Sequence, residues 1–125
     1  KYRADQNEFY NMVVEIDTNL IPVDLLNEIK NIEKKAGRLL EPKKNMPRIL
    51  DIDILAIGDL QIHSGLLEIP HGGISERIFV LKPWNDIAPT FVVPGQNAMV
   101  SEILENTDDD SDVRRVLILD NKGII

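Results

Sequence analysis

Along Phe9–Asp17 apolar and polar positions alternate, with Met12, Val14 and Ile16 on one face and Asn11, Val13, Glu15 and Asp17 on the other. This period of two predicts a half-buried strand with Asn11 near its start. Pro22 suits the first position of a helix, Asp24 and Glu28 fall early, and Leu25, Ile29, Ile32 and Ala36 recur at helical spacing. Lys30, Lys34 and Lys35 complement the C-terminal dipole and Gly37 supplies the stop. Residues 38–48 lack periodicity and carry Pro42 and Pro47, so they read as a loop ending where Arg48–Ile57 begins a β-branched strand. Gly58-Asp59 looks like a hairpin turn into Leu60–His63. Leu66–Ile69 and Ile78–Leu81 read as short extended pieces, Ala98–Leu104 as a short helix after Pro94-Gly95, and Val116–Leu119 as a last strand. Strand, helix, strands, helix, strand predicts an α+β domain with a mostly antiparallel sheet.

Composition narrows the classes of partner and chemistry. The 125 residues contain no internal repeat and no long linker, so residues 1–125 are expected to form one domain. With 14 Lys+Arg against 21 Asp+Glu the net charge is −7, which argues against a nonspecific nucleic-acid binder. The absence of cysteine excludes disulfides, thiolate metal sites and a cysteine nucleophile. No apolar run approaches the ~20 residues of a membrane span, and Lys1–Tyr10 has no signal-peptide core, so a cytoplasmic location is expected. The run Thr107-Asp108-Asp109-Asp110-Ser111-Asp112 is expected to be a solvated loop or helix end.

Chemistry concentrates in three places. In Arg48-Ile49-Leu50-Asp51-Ile52-Asp53-Ile54-Leu55, strand alternation puts Asp51 and Asp53 on one face with Cα atoms ~7 Å apart. Two like charges there repel unless something positive lies between them, and oxygen-only ligands suit Mg²⁺. The alternative is a solvent-facing sheet edge, where two aspartates need no partner. Upstream, Arg38, Lys43, Lys44 and Arg48 form a basic island in an acidic chain. It reads either as an ordinary soluble loop or as a polyanion grip, and Mg²⁺ beside cations is a recurring arrangement in phosphoryl transfer. Pro70-His71-Gly72-Gly73 with Arg77 is the third cluster. His71 is either a structural histidine or a donor to a bridging phosphate oxygen, Arg77 offers charge neutralisation, and the glycines are a weak phosphate-nest signal. His63 has no supporting context and reads as surface, while Phe9, Tyr10, Phe79 and Trp84 read individually as core packing.

In order, Phe9-x-Asn11, a helix ending in Gly37-Arg38, Pro47-Arg48-x-Leu50-Asp51-Ile52-Asp53-Ile54-Leu55, Ile69-Pro70-His71, Arg77-x-Phe79-Val80-Leu81-x-Pro83 and Ile87-Ala88-Pro89 resemble the 6-hydroxymethyl-7,8-dihydropterin pyrophosphokinase family of folate biosynthesis. The resemblance implies a ferredoxin-like α+β fold with helices packed on the sheet. It further implies transfer of the β,γ-pyrophosphate of ATP to the pterin hydroxymethyl group, releasing AMP. By the same resemblance Asp51 and Asp53 hold two Mg²⁺ ions. Glu33, Lys44, Ile54, His71 and Arg77 bind ATP, and Phe9, Asn11 and Phe79 bind the pterin. Arg38, Arg48, His71 and Arg77 make up the catalytic group. The implied partners are ATP and the pterin, with no nucleic acid and no membrane.

The chain departs from the family pattern in several places. The pattern opens with a strand ending in Gly-Ser-Asn, a helix and a loop, whereas this chain starts at Lys1-Tyr2-Arg3, close to the second strand. Either the chain is a fragment or something else fills that place, since a missing first strand leaves an open edge. Asn45-Met46 stands where the family has Trp-Gly, and Leu40 replaces a frequent arginine. A non-catalytic relative that keeps the metal strand as a nucleotide-binding or interaction module is the alternative reading. A generic Mg-nucleotide domain is the third.

Overall fold

A computed structural model describes residues 10–39 and 50–115, with only the backbone described at residues 38 and 39. The described chain divides into two compact units, Ile16–Gly72 and the remainder.

In the first unit Pro22 opens helix α1, Pro22–Leu39, with the Leu25 N–H donating to Ile21 O at 2.9 Å as the first helical bond. Leu25 and Ile29 are buried. The same i, i+4 stripe continues to half-buried Glu33, while Ile32 is 44% exposed, so the predicted inner face is turned by one position. Gly37 does not stop the helix. It lacks the left-handed backbone of a C-terminal cap, and a helical glycine costs only about 1 kcal/mol, so the helix runs on to Leu39. Strands β1, Ile62–His63, and β2, Glu68–Ile69, pair antiparallel with Ile62 opposite Ile69 and His63 opposite Glu68. The Ser64 hydroxyl closes their connection, donating to Leu67 O and accepting the Leu67 N–H. Ile69 is fully buried and precedes a cis bond to Pro70.

The second unit carries a 3-10 turn at Ile74–Glu76, helix α2, Ile78–Ile87, strands β3, Val92–Val93, and β4, Ala98–Met99, and helix α3, Val100–Asn106. β3 and β4 pair antiparallel around Pro94–Asn97, where Gly95 and Asn97 adopt φ of 85° and 54°. Leu81, Val93 and Val100 are fully buried, and α2 packs on α3. The Trp84 and Phe91 rings lie 5.8 Å apart. Glu102 accepts the Met99 N–H at 2.8 Å and caps α3.

The α+β class and the antiparallel pairing agree with the sequence, whereas several predicted strands do not form. Residues 10–17 and 50–57 are in no ladder among the described residues, and Met12, Val14 and Ile16 are more than 60% exposed. Alternation marks a face suited to burial, but a strand exists only where a neighbour accepts its backbone hydrogen bonds. Gly58-Asp59 is a turn, with Gly58 at φ 51° and the Leu60 N–H on Ile57 O, yet the hairpin is β1–β2 instead. Ile78–Leu81 is the start of α2. Buried Ile78, Leu81 and Trp84 recur every three residues, a helical period hidden by Pro83 inside the helix. The predicted helix at Ala98–Leu104 starts two residues late, because Ala98–Met99 pairs as β4. Val116–Leu119, Phe9, Lys43, Lys44, Arg48 and the Arg38 side chain lie outside the described residues.

Candidate active site

Residues 51–55 are held from two sides. On one side the Glu33 carboxylate of α1 accepts the Ile52 N–H at 2.7 Å, between the two aspartates. On the other the His71 N–H donates to Leu55 O at 2.9 Å. A backbone stretch without a ladder among the described residues is thus held by a side chain on one flank and a main-chain bond on the other. Within it Asp51 and Asp53 are exposed while Ile52 and Ile54 are half-buried, so the expected alternation of environment survives over residues 51–54 without the strand and ends at half-buried Leu55.

An open groove of about 420 Å³ runs along this stretch, lined among others by Lys30, Glu33, Asp51, Asp53, Ile54, Glu68 and His71. Among the described residues, four carboxyl groups therefore share it with one lysine and one histidine. Such a groove repels a bare polyphosphate and attracts a cation. Among the described residues no group of three or more His, Asp or Glu side chains is gathered tightly enough to cage a metal. Two exposed carboxylates without a third ligand fit Mg²⁺, which keeps several waters and takes substrate phosphates for the rest of its shell. A structural zinc or calcium site would demand more protein ligands.

Sequence reasoning did not single out Glu68 or Lys30. Glu68 is explained by Gly72, where a Cβ would come within 3.2 Å of both Glu68 carboxylate oxygens. The absence of a side chain at Gly72 leaves room for that carboxylate beside His71. The glycine pair is not a phosphate nest, because neither Gly72 nor Gly73 has the left-handed backbone that a nest needs. His63 is a surface residue as expected, 69% exposed and 3.9 Å from Glu68.

The second unit holds Asn11, Arg77 and Phe79. Asn11 is exposed. Phe79 is 38% exposed and does not serve as core; the Arg77 guanidinium carbon sits 5.6 Å from its ring centroid, a cation–π pair. Arg77 is the residue before α2, with φ −129° and ψ 87° and no capping bond from its own side chain.

The family model of 7,8-dihydro-6-hydroxymethylpterin-pyrophosphokinase (HPPK) matches residues 2–89. The chain belongs to the HPPK family. It is 47% identical over 94 residues to the folic acid synthesis protein FOL1 of Dictyostelium discoideum, covering 75% of this chain and 14% of that protein. To the folic acid synthesis protein fol1 of Schizosaccharomyces pombe it is 36% identical over 124 residues, covering 99% of this chain and 17% of the relative. To the 2-amino-4-hydroxy-6-hydroxymethyldihydropteridine pyrophosphokinase of Pseudomonas aeruginosa it is 42% identical over 91 residues, covering 73% and 56% respectively. The chain thus spans about half the length of that bacterial relative and under a fifth of the two eukaryotic ones. The HPPK match contains the whole groove with Arg77 and Phe79, and it stops before Thr107–Asp112.

Proposed function

We propose that the chain carries the site of an HPPK reaction, the Mg²⁺-dependent transfer of the β,γ-pyrophosphate of ATP to 6-hydroxymethyl-7,8-dihydropterin with release of AMP. The observation that carries this reading is the groove itself. Inside the family match, Asp51 and Asp53 flank a backbone N–H fixed by Glu33 and share one cavity with His71.

In this reading Asp51 and Asp53 hold two Mg²⁺ ions. Bound there, the metal supplies charge neutralisation and a template for the phosphates. Ile54, Glu33 and His71 bind the nucleotide side, with His71 donating a hydrogen bond to a phosphate oxygen. Lys44, Arg38 and Arg48 grip the polyphosphate, and Arg77 neutralises charge developing on it. Phe9, Asn11 and Phe79 take the pterin, Asn11 by hydrogen bonds and the aromatics by stacking. No covalent nucleophile is needed, because the pterin hydroxyl attacks the β-phosphorus of ATP directly and positioning supplies much of the rate. The fold proposed for the assembled domain, residues 1–125, is ferredoxin-like. The cysteine-free composition suits the cytoplasm, and among the described residues no helix is long and apolar enough to cross a membrane.

The test is incubation of the full-length protein with MgATP and 6-hydroxymethyl-7,8-dihydropterin. Pterin-dependent AMP is the expected product. ATP binding without AMP would turn the reading toward a non-catalytic nucleotide-binding relative.

A further inference from the structure

The acidic run Thr107–Asp112 lies outside the HPPK match and is the largely exposed loop after α3 that the sequence predicts. Two of its residues, Thr107 and Asp109, nevertheless reach back to the start of α2. Asp109 Oδ2 accepts the N–H of Ile78, the first residue of α2, at 3.0 Å. The Thr107 hydroxyl donates to Ser75 O at 2.8 Å. Further along, the Lys82 ammonium donates to Val113 O at 3.2 Å, and Arg115 makes a two-bond pair with Asp86, its shorter arm 2.7 Å. Ile78, Lys82 and Asp86 are four residues apart, one stripe of α2, so residues 107–115 run along the helix as a strap.

The upper end of the strap brackets two residues, Glu76 and Arg77. Ser75 and Ile78 are pinned on either side of Arg77, whose own side chain leaves the helix start uncapped and instead covers the Phe79 ring. Asp109, from thirty-one residues downstream, supplies an acceptor for the first N–H of α2, one of the helix-start donors that have no intrahelical partner. It is itself held in place. Ser111 donates both its hydroxyl, at 2.6 Å, and its N–H, at 3.0 Å, to Asp109 Oδ1, and the Asp109 N–H donates to Thr107 Oγ1 at 3.3 Å. The Ser111 hydroxyl and the N–H groups of Ile78 and Ser111 favour the charged carboxylate.

We infer that Asp109, assisted by Thr107, is a positioning residue that fixes the backbone around Arg77 and so aims the Arg77–Phe79 pair. The inference rests on the proposed reaction for its catalytic consequence, though not for its structural content. Asp109 touches neither substrate; it acts through the start of α2.

Two readouts on the full-length protein test it. The first is the Arg77 Nε–H resonance, which the ring current of Phe79 at this distance is expected to shift upfield. Asp109→Ala should move it toward the random-coil value, while Asp109→Asn, which keeps an acceptor oxygen, should leave it near the wild-type position. The second is pterin-dependent AMP release. Asp109→Ala should lower kcat/KM about fivefold, the scale of losing one hydrogen bond, and Asp109→Asn should stay within about twofold. In an Arg77→Ala background the Asp109→Ala loss should vanish, because the residue it positions is gone. An unmoved Arg77 resonance, or a loss of equal size in both backgrounds, would overturn the assignment. If Asp109→Ala does not fold, Thr107→Val, which removes the Ser75 bond and the acceptor of the Asp109 N–H but keeps the Asp109 carboxylate, is read in the same two ways. A wild-type protein that makes no AMP would defeat the reaction and leave the resonance to decide the role of Asp109.

Discussion

At the scale of single residues the site depends on where carboxylates are placed. Asp51 and Asp53 were legible in sequence because aspartates two apart in an apolar β-branched run conflict with their surroundings. Glu33 and Glu68 owe their placement to contacts that sequence spacing does not encode, a backbone N–H nineteen residues away and the missing Cβ of Gly72. Glu33→Ala leaves the Ile52 N–H without its acceptor, so a stability loss of about 1–3 kcal/mol is expected, with Glu33→Gln recovering most of it. Chemical denaturation of the two variants measures this directly. Asp109 gives a pH prediction. Its carboxyl is held below its ordinary value, first by the Ser111 hydroxyl, then by the N–H groups of Ile78 and Ser111. A lowered folded-state pKa stabilises above the unfolded pKa and is lost as pH falls through the folded one. Acid unfolding below about pH 4 should therefore be shallower in Asp109→Asn than in wild type.

At the scale of elements, what the sequence announced best was α1, where Pro22, the acidic start and the basic end agree with the apolar period. It announced α2 worst. Four residues, Ile78-Phe79-Val80-Leu81, are too few to separate a period of two from one near 3.6, and Pro83 argued against a helix that tertiary packing nevertheless builds. That packing is the stronger force. Leu81 is fully buried, and Leu81→Ala is expected to cost about 2–5 kcal/mol by thermal or denaturant unfolding. The Arg115–Asp86 pair at the lower end of the strap is partly exposed, so Arg115→Ala should cost less than about 1 kcal/mol. The predicted strands at residues 10–17 and 50–57 show the converse case, with the right alternation and no ladder among the described residues. Local pattern specifies which face is apolar, and only a partner turns that face into a sheet.

At the scale of the molecule, charge supports the proposed part of a cation in the chemistry. A chain of net charge −7, with four carboxyl groups in its groove, is a poor host for a polyphosphate until those charges are offset. ATP affinity is accordingly expected to collapse when Mg²⁺ is chelated, which isothermal titration with and without EDTA measures. The family was readable from the order of short motifs across residues 5–89, and the match over 2–89 bears it out. The contribution of 107–115 was not readable, because its contacts with α2 and the turn before it span about thirty residues and involve backbone groups. The decisive measurement is Mn²⁺ titration of the full-length protein by electron paramagnetic resonance in the presence of a nonhydrolysable ATP analogue. Nucleotide-dependent Mn²⁺ binding that is lost in both Asp51→Ala and Asp53→Ala, with the fold intact, is the predicted result; undiminished binding in both variants would contradict the account.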